Sequence, residues 1–357
     1  MGKVSRSTCI LMVLTLVIAT TALAGEYHYQ SNLNCQECHT MHYSQSHQYD
    51  SALADAGHLN ATPQADMAGG AKKYLLRNSD SDLCLSCHDG QTFAPDVKGD
   101  ETPPTGGAYI REAGALTTGG TNHENYKGHT LGVSATPPGG TMSITLQCTN
   151  CHEPHGNANY RNLDGSSPVI TYAKGSNNIT KDVFLRSWSL GVIATNYSVD
   201  NVDFNEPDST KSAMGQFCKG CHTDFHGKSG DSNMGSTSTG WLHHPTADAD
   251  IGASVSDYKH SSLDVFKSRV YRAKVMSPTG DWGTQGTAWA SAPSDLTPTC
   301  ITCHKSHGNR NPFGLIYLSG TNVSTTLSEE GDTEGNSGTG SGMRKLCNQC
   351  HAQGGVL

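Results

Sequence analysis

Six times along this chain of 357 residues, two cysteines stand three apart with a histidine directly behind the second. The triplets are Cys35/Cys38/His39, Cys84/Cys87/His88, Cys148/Cys151/His152, Cys218/Cys221/His222, Cys300/Cys303/His304 and Cys347/Cys350/His351. Cys-x-x-Cys-His is the spacing at which two thiols add across the vinyl groups of a porphyrin while the adjoining imidazole binds its iron from one face. Zinc sites, redox dithiols and disulfides also use paired cysteines, but none of them requires a histidine after every pair. The spacing predicts six covalently attached c-type haems, the twelve cysteines holding the macrocycles and the six following histidines ligating iron.

A second histidine follows three residues after the first in alternate motifs: His42 in Cys-His-Thr-Met-His, His155 in Cys-His-Glu-Pro-His and His307 in Cys-His-Lys-Ser-His. Residues three apart lie about 5–6 Å from each other on one side of a helical turn. His155 therefore cannot reach the far face of the haem that His152 holds, and is free to serve a different one. If each such histidine reaches back to the odd-numbered haem of the preceding pair, His155 serves the first haem and His307 the third. The same offset gives His42 no earlier haem in its own chain, so its target is the fifth haem of another subunit.

Of eighteen histidines, twelve remain after the attachment motifs, and six are needed to close every iron on both faces. With His42, His155 and His307 placed, His129, His244 and His260 are the choices for the second, fourth and sixth haems. His226 is the reserve, and His243 a substitute for its neighbour. His28, His47, His58 and His123 read as ordinary polar residues. Methionine would raise the potentials, but so many histidines favour low-potential, bis-histidine irons.

These motifs sit in an exported chain. Lys3 and Arg6 precede an apolar run from about Cys9 to Thr21, and Ala22-Leu23-Ala24 is a small-residue cleavage site, so residues 1–24 read as a secretory signal peptide. The run is too short for a transmembrane helix of roughly 20 apolar residues, and no later segment is apolar enough to span a bilayer. Removal of the leader takes Cys9, the one cysteine outside the motifs. The 24 basic and 32 acidic residues give a net charge of −8. Loss of Lys3 and Arg6 and the addition of twelve haem propionates make the particle more acidic still, which argues against nucleic acid as a partner.

Hydrophobic content is 35%, charged content 16%, and glycine is abundant at 40 residues. A protein-only core would be thin, so the haems must supply much of the buried apolar surface. The expected fold is mostly irregular, with short helices and few short strands, wrapped around a continuous chain of six haems. Residues 25–357 form one domain of three haem pairs, roughly 25–140, 141–290 and 291–357. Helical turns are expected at the attachment motifs and short helices at Lys72–Arg77 and Val265–Ala273. Short strands are expected at Ser143–Gln147 and Pro168–Tyr172. Runs rich in Gly, Ser, Thr and Pro, such as Thr136–Thr141 and Gly230–Gly240, are fixed at both ends by haem units. The acidic stretches around Asp200–Asp208 and Glu329–Glu334 match no calcium-loop spacing and read as solvated loops.

Cys35–Tyr43, Cys148–Gly156, Cys218–His226, His244-Pro245 and Leu346–Ala352, in this order, resemble the filament-forming hexahaem outer-surface c-type cytochromes of metal-reducing bacteria. The resemblance implies stacked haem pairs joined by roughly perpendicular steps, and head-to-tail polymerisation of identical subunits into an extracellular filament. It also implies that the histidine matching His42 ligates the fifth haem of the adjacent subunit. The function expected is electron transfer, not enzymatic catalysis, towards extracellular acceptors. A monomeric periplasmic shuttle is the alternative. A multihaem reductase is the lesser one, since it needs one haem open to substrate and all six motifs here are ordinary.

Overall fold

The computed structural model describes residues 28, 35–39, 73–89, 94–95, 97–98, 113–114, 116–117, 128–157, 159–164, 172–174, 181–188, 201–205, 213–227, 235–236, 241–247, 276–277, 297–308 and 312–315. Helices α1 (Cys35–Cys38), α2 (Asp80–His88), α3 (Ala213–Lys219) and α4 (Cys300–Cys303) each carry motif cysteines. The third motif forms a 3-10 turn instead, Cys148–Asn150. Two thiols three apart suit a single helical turn, and the turns are short because little but the motif demands them. At the third and fifth motifs the backbone N–H of the preceding residue is satisfied by the third residue's side chain, Gln147 N to Asn150 Oδ1 at 2.6 Å and Thr299 N to Thr302 Oγ1 at 2.9 Å.

The strands are β1 (Ser134–Ala135), β2 (Ile144–Thr145), β3 (Tyr172–Lys174), β4 (Val183–Leu185), β5 (Val202–Asn205), β6 (Gly235–Ser236), β7 (Trp241–Leu242) and β8 (Met276–Ser277). β1 pairs with β2 and β6 with β7 as antiparallel ribbons, while β3-β4-β5-β8 make a four-stranded mixed sheet. Thus the described residues are mostly loop, with a few short helices and strands, as the composition implies. The strand expected at Pro168–Tyr172 begins only at Tyr172, residues 168–171 lying outside the described set, as does 265–273.

An apolar cluster sits on the mixed sheet. Val183 and Leu185 of β4 alternate inward and are fully buried, packed with Val202, Tyr160 and Met214. Leu163, Trp188, Phe204, Phe217 and Ile301 close over them. This core ties together chain from the third, fourth and fifth motifs. Beside it the buried Asp203 carboxylate accepts a 2.6 Å contact from Arg186 Nη2, which offsets the cost of burying its charge. Leu185→Ala is expected to lower the stability of the holoprotein by about 2–5 kcal/mol, read as a fall in the denaturation midpoint. A loss under about 1 kcal/mol would mean this cluster contributes little to the fold.

Among the described residues three turns carry left-handed backbone at non-glycine residues: Tyr74 and Leu75 (φ 59 and 58°), Arg161 and Asn162 (54 and 53°), and Phe313 followed by Gly314 (59 and 63°). Left-handed conformation costs roughly 1–2 kcal/mol per non-glycine residue, so five such residues in three matching turns are a designed feature. Each turn is followed by a leucine that bridges back to a motif histidine: Leu76 to His39, Leu163 to His152 and Leu315 to His304. The short helix expected at Lys72–Arg77 is a single turn over Lys73–Leu75 with left-handed Tyr74 and Leu75, which places the Tyr74 carbonyl at the His39 ring.

Candidate haem-binding sites

The left-handed turns point backbone carbonyls at the motif histidines. His39 Nδ1 donates to Tyr74 O at 3.0 Å, His152 Nδ1 to Arg161 O at 3.1 Å and His304 Nδ1 to Phe313 O at 2.7 Å. The even motifs find their carbonyls elsewhere, His88 at Pro95 O (2.9 Å) and His222 at Pro138 O (3.0 Å). In all five described motifs the Nδ1 proton is therefore spent on a carbonyl, which fixes the tautomer and leaves the Nε2 lone pair for a metal. Burial pushes His152 and His304 below the ordinary imidazole range, and the neutral ring is the form that binds.

Four motif histidines face a second imidazole. Ring centroids are 5.9 Å apart for His39 and His155, 6.1 Å for His88 and His28, 6.2 Å for His152 and His307, and 6.1 Å for His222 and His129. Two imidazoles bound to one metal from opposite faces, through metal–nitrogen bonds of about 2 Å, hold their centroids about 6 Å apart. Burial, then the neighbouring His152 and His129, pushes His307 down to about 3, with a Gly114 backbone hydrogen bond opposing. Burial likewise lowers His129. No group of three or more His, Cys, Asp or Glu side chains close enough for one metal ion occurs among the described residues. Rings in twos would suit a haem iron held between two imidazoles.

The thiols complete the set. All ten described cysteines are free, so none is committed to a disulfide. Burial raises Cys38 to about 11, with the nearby Cys87 adding, and raises Cys151 to about 11, with Cys221 adding. Cys84 is raised by a hydrogen bond to Cys148, which the same bond lowers to about 7. Cys218 and Cys300 form the corresponding pair, the first raised and the second lowered. Consecutive motifs are thus neighbours in space, second thiols facing between motifs one and two and three and four, first thiols facing between two and three and four and five. The α2 N-terminus is latched to the third motif by Ser81 Oγ to Gln147 Oε1 at 2.5 Å and by Thr149 to Asp80. Thiols and lone-pair imidazoles fit a covalently bound haem at each described motif, and ring spacing fits it at the first four.

His28 was not expected at a site, yet its ring faces that of His88 and its Nδ1 donates to Pro154 O at 3.0 Å. A signal exists in comparison with His129, whose Nδ1 donates to Ser306 O at 2.7 Å. Both precede an odd motif, and both are held by the residue just before an extra histidine. Elsewhere, His226 is buried with Nδ1 2.8 Å from Thr246 Oγ1, His243 packs edge-on to Phe225 at 4.6 Å, and His244 is exposed. His42, His260, Cys347, Cys350 and His351 lie outside the described residues. Among the described residues no histidine ring stands opposite His304, and no helix is long and apolar enough to cross a membrane.

No family model matches the chain. It is 23% identical over 460 aligned residues to the C-type cytochrome OmcS of Geobacter sulfurreducens, the match covering 96% of this chain and 99% of that protein. Two solved structures resemble it at 17% identity: the OmcS nanowires (TM-score 0.47, 90% of this chain and 98% of that one) and the Outer Membrane Cytochrome S Filament (0.46, 90% and 99%), both from Geobacter sulfurreducens. The chain is thus similar, along nearly its whole length, to a c-type cytochrome.

Proposed function

We propose that this chain is an exported hexahaem c-type cytochrome that carries electrons along bis-histidine haems and polymerises head to tail into an extracellular filament. The observation that carries the reading is the set of four histidine pairs at about 6 Å, each with a motif ring whose Nδ1 proton is already taken by a carbonyl. The likeness to the C-type cytochrome OmcS supports the haem-protein reading, and the offset of His42, which has no earlier haem to reach in its own chain, supports the filament. Haem supplies one-electron redox chemistry; the chain's own residues bind it, close both faces of the iron and exclude substrate. In this reading His155 closes the first haem, His28 the second, His307 the third and His129 the fourth. The fifth is closed by His42 of a neighbouring copy, and the sixth by His244 or His260, upstream of the fifth motif. Residues 25–357 act as one domain of three haem pairs behind a cleaved leader.

Intact-mass measurement of the secreted protein, with electron paramagnetic resonance, tests this. Six haem masses per chain and low-spin iron without carbon monoxide binding are expected of the assembled protein. A persistent high-spin site in assembled material would favour a reductase. Tuning is visible too: the Glu153 carboxylate lies 3.3 Å from His155 Nδ1, and a carboxylate partner makes an imidazole more electron-donating. Glu153→Gln is expected to raise the potential of one haem of the six in a redox titration, and an unaltered titration would remove Glu153 from the site.

A further inference from the structure

The segments linking the two histidines of the third and fifth motifs are built alike. In the third motif Glu153 N donates to Asn162 O (2.7 Å) and Gly156 N to Glu153 O (3.0 Å). In the fifth, Lys305 N donates to Gly314 O (2.9 Å) and Gly308 N to Lys305 O (3.1 Å). Each tight turn throws two groups in different directions. One is an imidazole, His155 toward His39 or His307 toward His152. The other is the carbonyl of the residue before it, Pro154 O toward His28 Nδ1 or Ser306 O toward His129 Nδ1.

We infer that each such strap closes two haems at once, ligating the odd haem of the preceding pair through its imidazole and fixing the distal histidine of the even haem through its carbonyl. The inference rests on the bis-histidine reading above and deepens it. Ser306 and Pro154 are positioning residues, since they act through His129 and His28. A carbonyl that accepts the Nδ1 proton sets the ring's orientation and strengthens its donation to iron, so loss of the clamp raises the even haem's potential.

The fifth-motif strap is held in place by backbone, not by its imidazole. His307 N donates to Ala113 O (2.7 Å), and His129 N donates to His307 O (3.1 Å). Gly308 bridges both Gly114 and Gly128. A Cβ on Gly128 would stand 2.5 Å from Gly308 Cα and 2.5 Å from His307 O, and one on Gly114 would stand 1.9 Å from Gly308 O. Only glycine lets the strap lie this close on both sides.

The test uses the purified holoprotein. Wild type must first show six covalent low-spin haems; failure there overturns the bis-histidine reading and not the strap. His307→Ala is then expected to turn one haem high-spin while the fourth haem keeps its potential, because the backbone clamp on His129 survives. Gly128→Ala is expected to alter two of the six haems, the third losing ligation and the fourth rising in potential. Added imidazole should restore the third haem to low spin and leave the fourth shifted. Gly132→Ala, at a glycine with φ +73° and nothing within 4 Å of its Cβ, controls for local backbone strain and should alter neither haem. Change at the third haem alone in Gly128→Ala overturns the two-haem strap. Should Gly128→Ala not fold, His307→Ala still decides: a shift of the fourth haem on loss of the imidazole alone contradicts a clamp made of backbone.

Discussion

Replacing His42 by Ala is expected to abolish filament formation and to leave one haem in six per subunit with an exchangeable face. The expectation extends to His42 the pattern of the two described straps. His155 stands 5.9 Å from the first motif's ring and His307 6.2 Å from the third's, each reaching back two motifs. The fifth motif is prepared in the same way, with His304 Nδ1 on Phe313 O at 2.7 Å and Leu315 pairing with the backbone of His304. Yet its opposite imidazole is not among the described residues of its own chain. In the proposed reading a second copy supplies His42, which would complete the series and join subunits by an iron–nitrogen bond. Size-exclusion chromatography should show dispersed subunits, and carbon monoxide should bind one equivalent per chain. Intact, fully low-spin filaments of His42→Ala would show that the subunits join by other means.

His28→Ala is expected to open the second haem, converting one low-spin signal in six to high spin. The ring faces His88 at 6.1 Å and is held by Pro154 O at 3.0 Å. A surface histidine would give no spectral change at all, so carbon monoxide titration separates the two outcomes. If His28 and His129 serve the second and fourth haems as proposed, only one of His244 and His260 is needed for the sixth.

What could be read from sequence depended on the range of the interaction. Attachment motifs are local, so their short helical turns followed from the three-residue spacing. The extra histidines His155 and His307 lie beyond them in tight turns, Gly156 N on Glu153 O and Gly308 N on Lys305 O, and not on a helical face as the spacing suggested. A repeat extends the third and fifth motifs further, His155-Gly156-Asn157-Ala158-Asn159 and His307-Gly308-Asn309-Arg310-Asn311, ending at Leu163 and Leu315. It marks the left-handed turns, but in the first motif the corresponding turn at Tyr74 is 35 residues beyond His39, and the pattern is lost in the insertion. The mixed sheet left no trace because its strands are two to four residues long, too short for periodicity to register. Its fourth strand pairs Phe204 with the distant Met276. The contact of His28 had no sequence signal for a related reason. One polar residue seven positions before Cys35 carries no local pattern, and its hydrogen-bond partner Pro154 O lies 126 residues away.

Cryo-electron microscopy of material sheared from intact cells tests the central claim most directly. The account expects filaments of one repeating subunit with six haems each in an unbroken line, and His42 of one subunit closing the haem of His304 in the next. Small dispersed particles, or a haem line with one iron open to solvent in the assembled state, would contradict it.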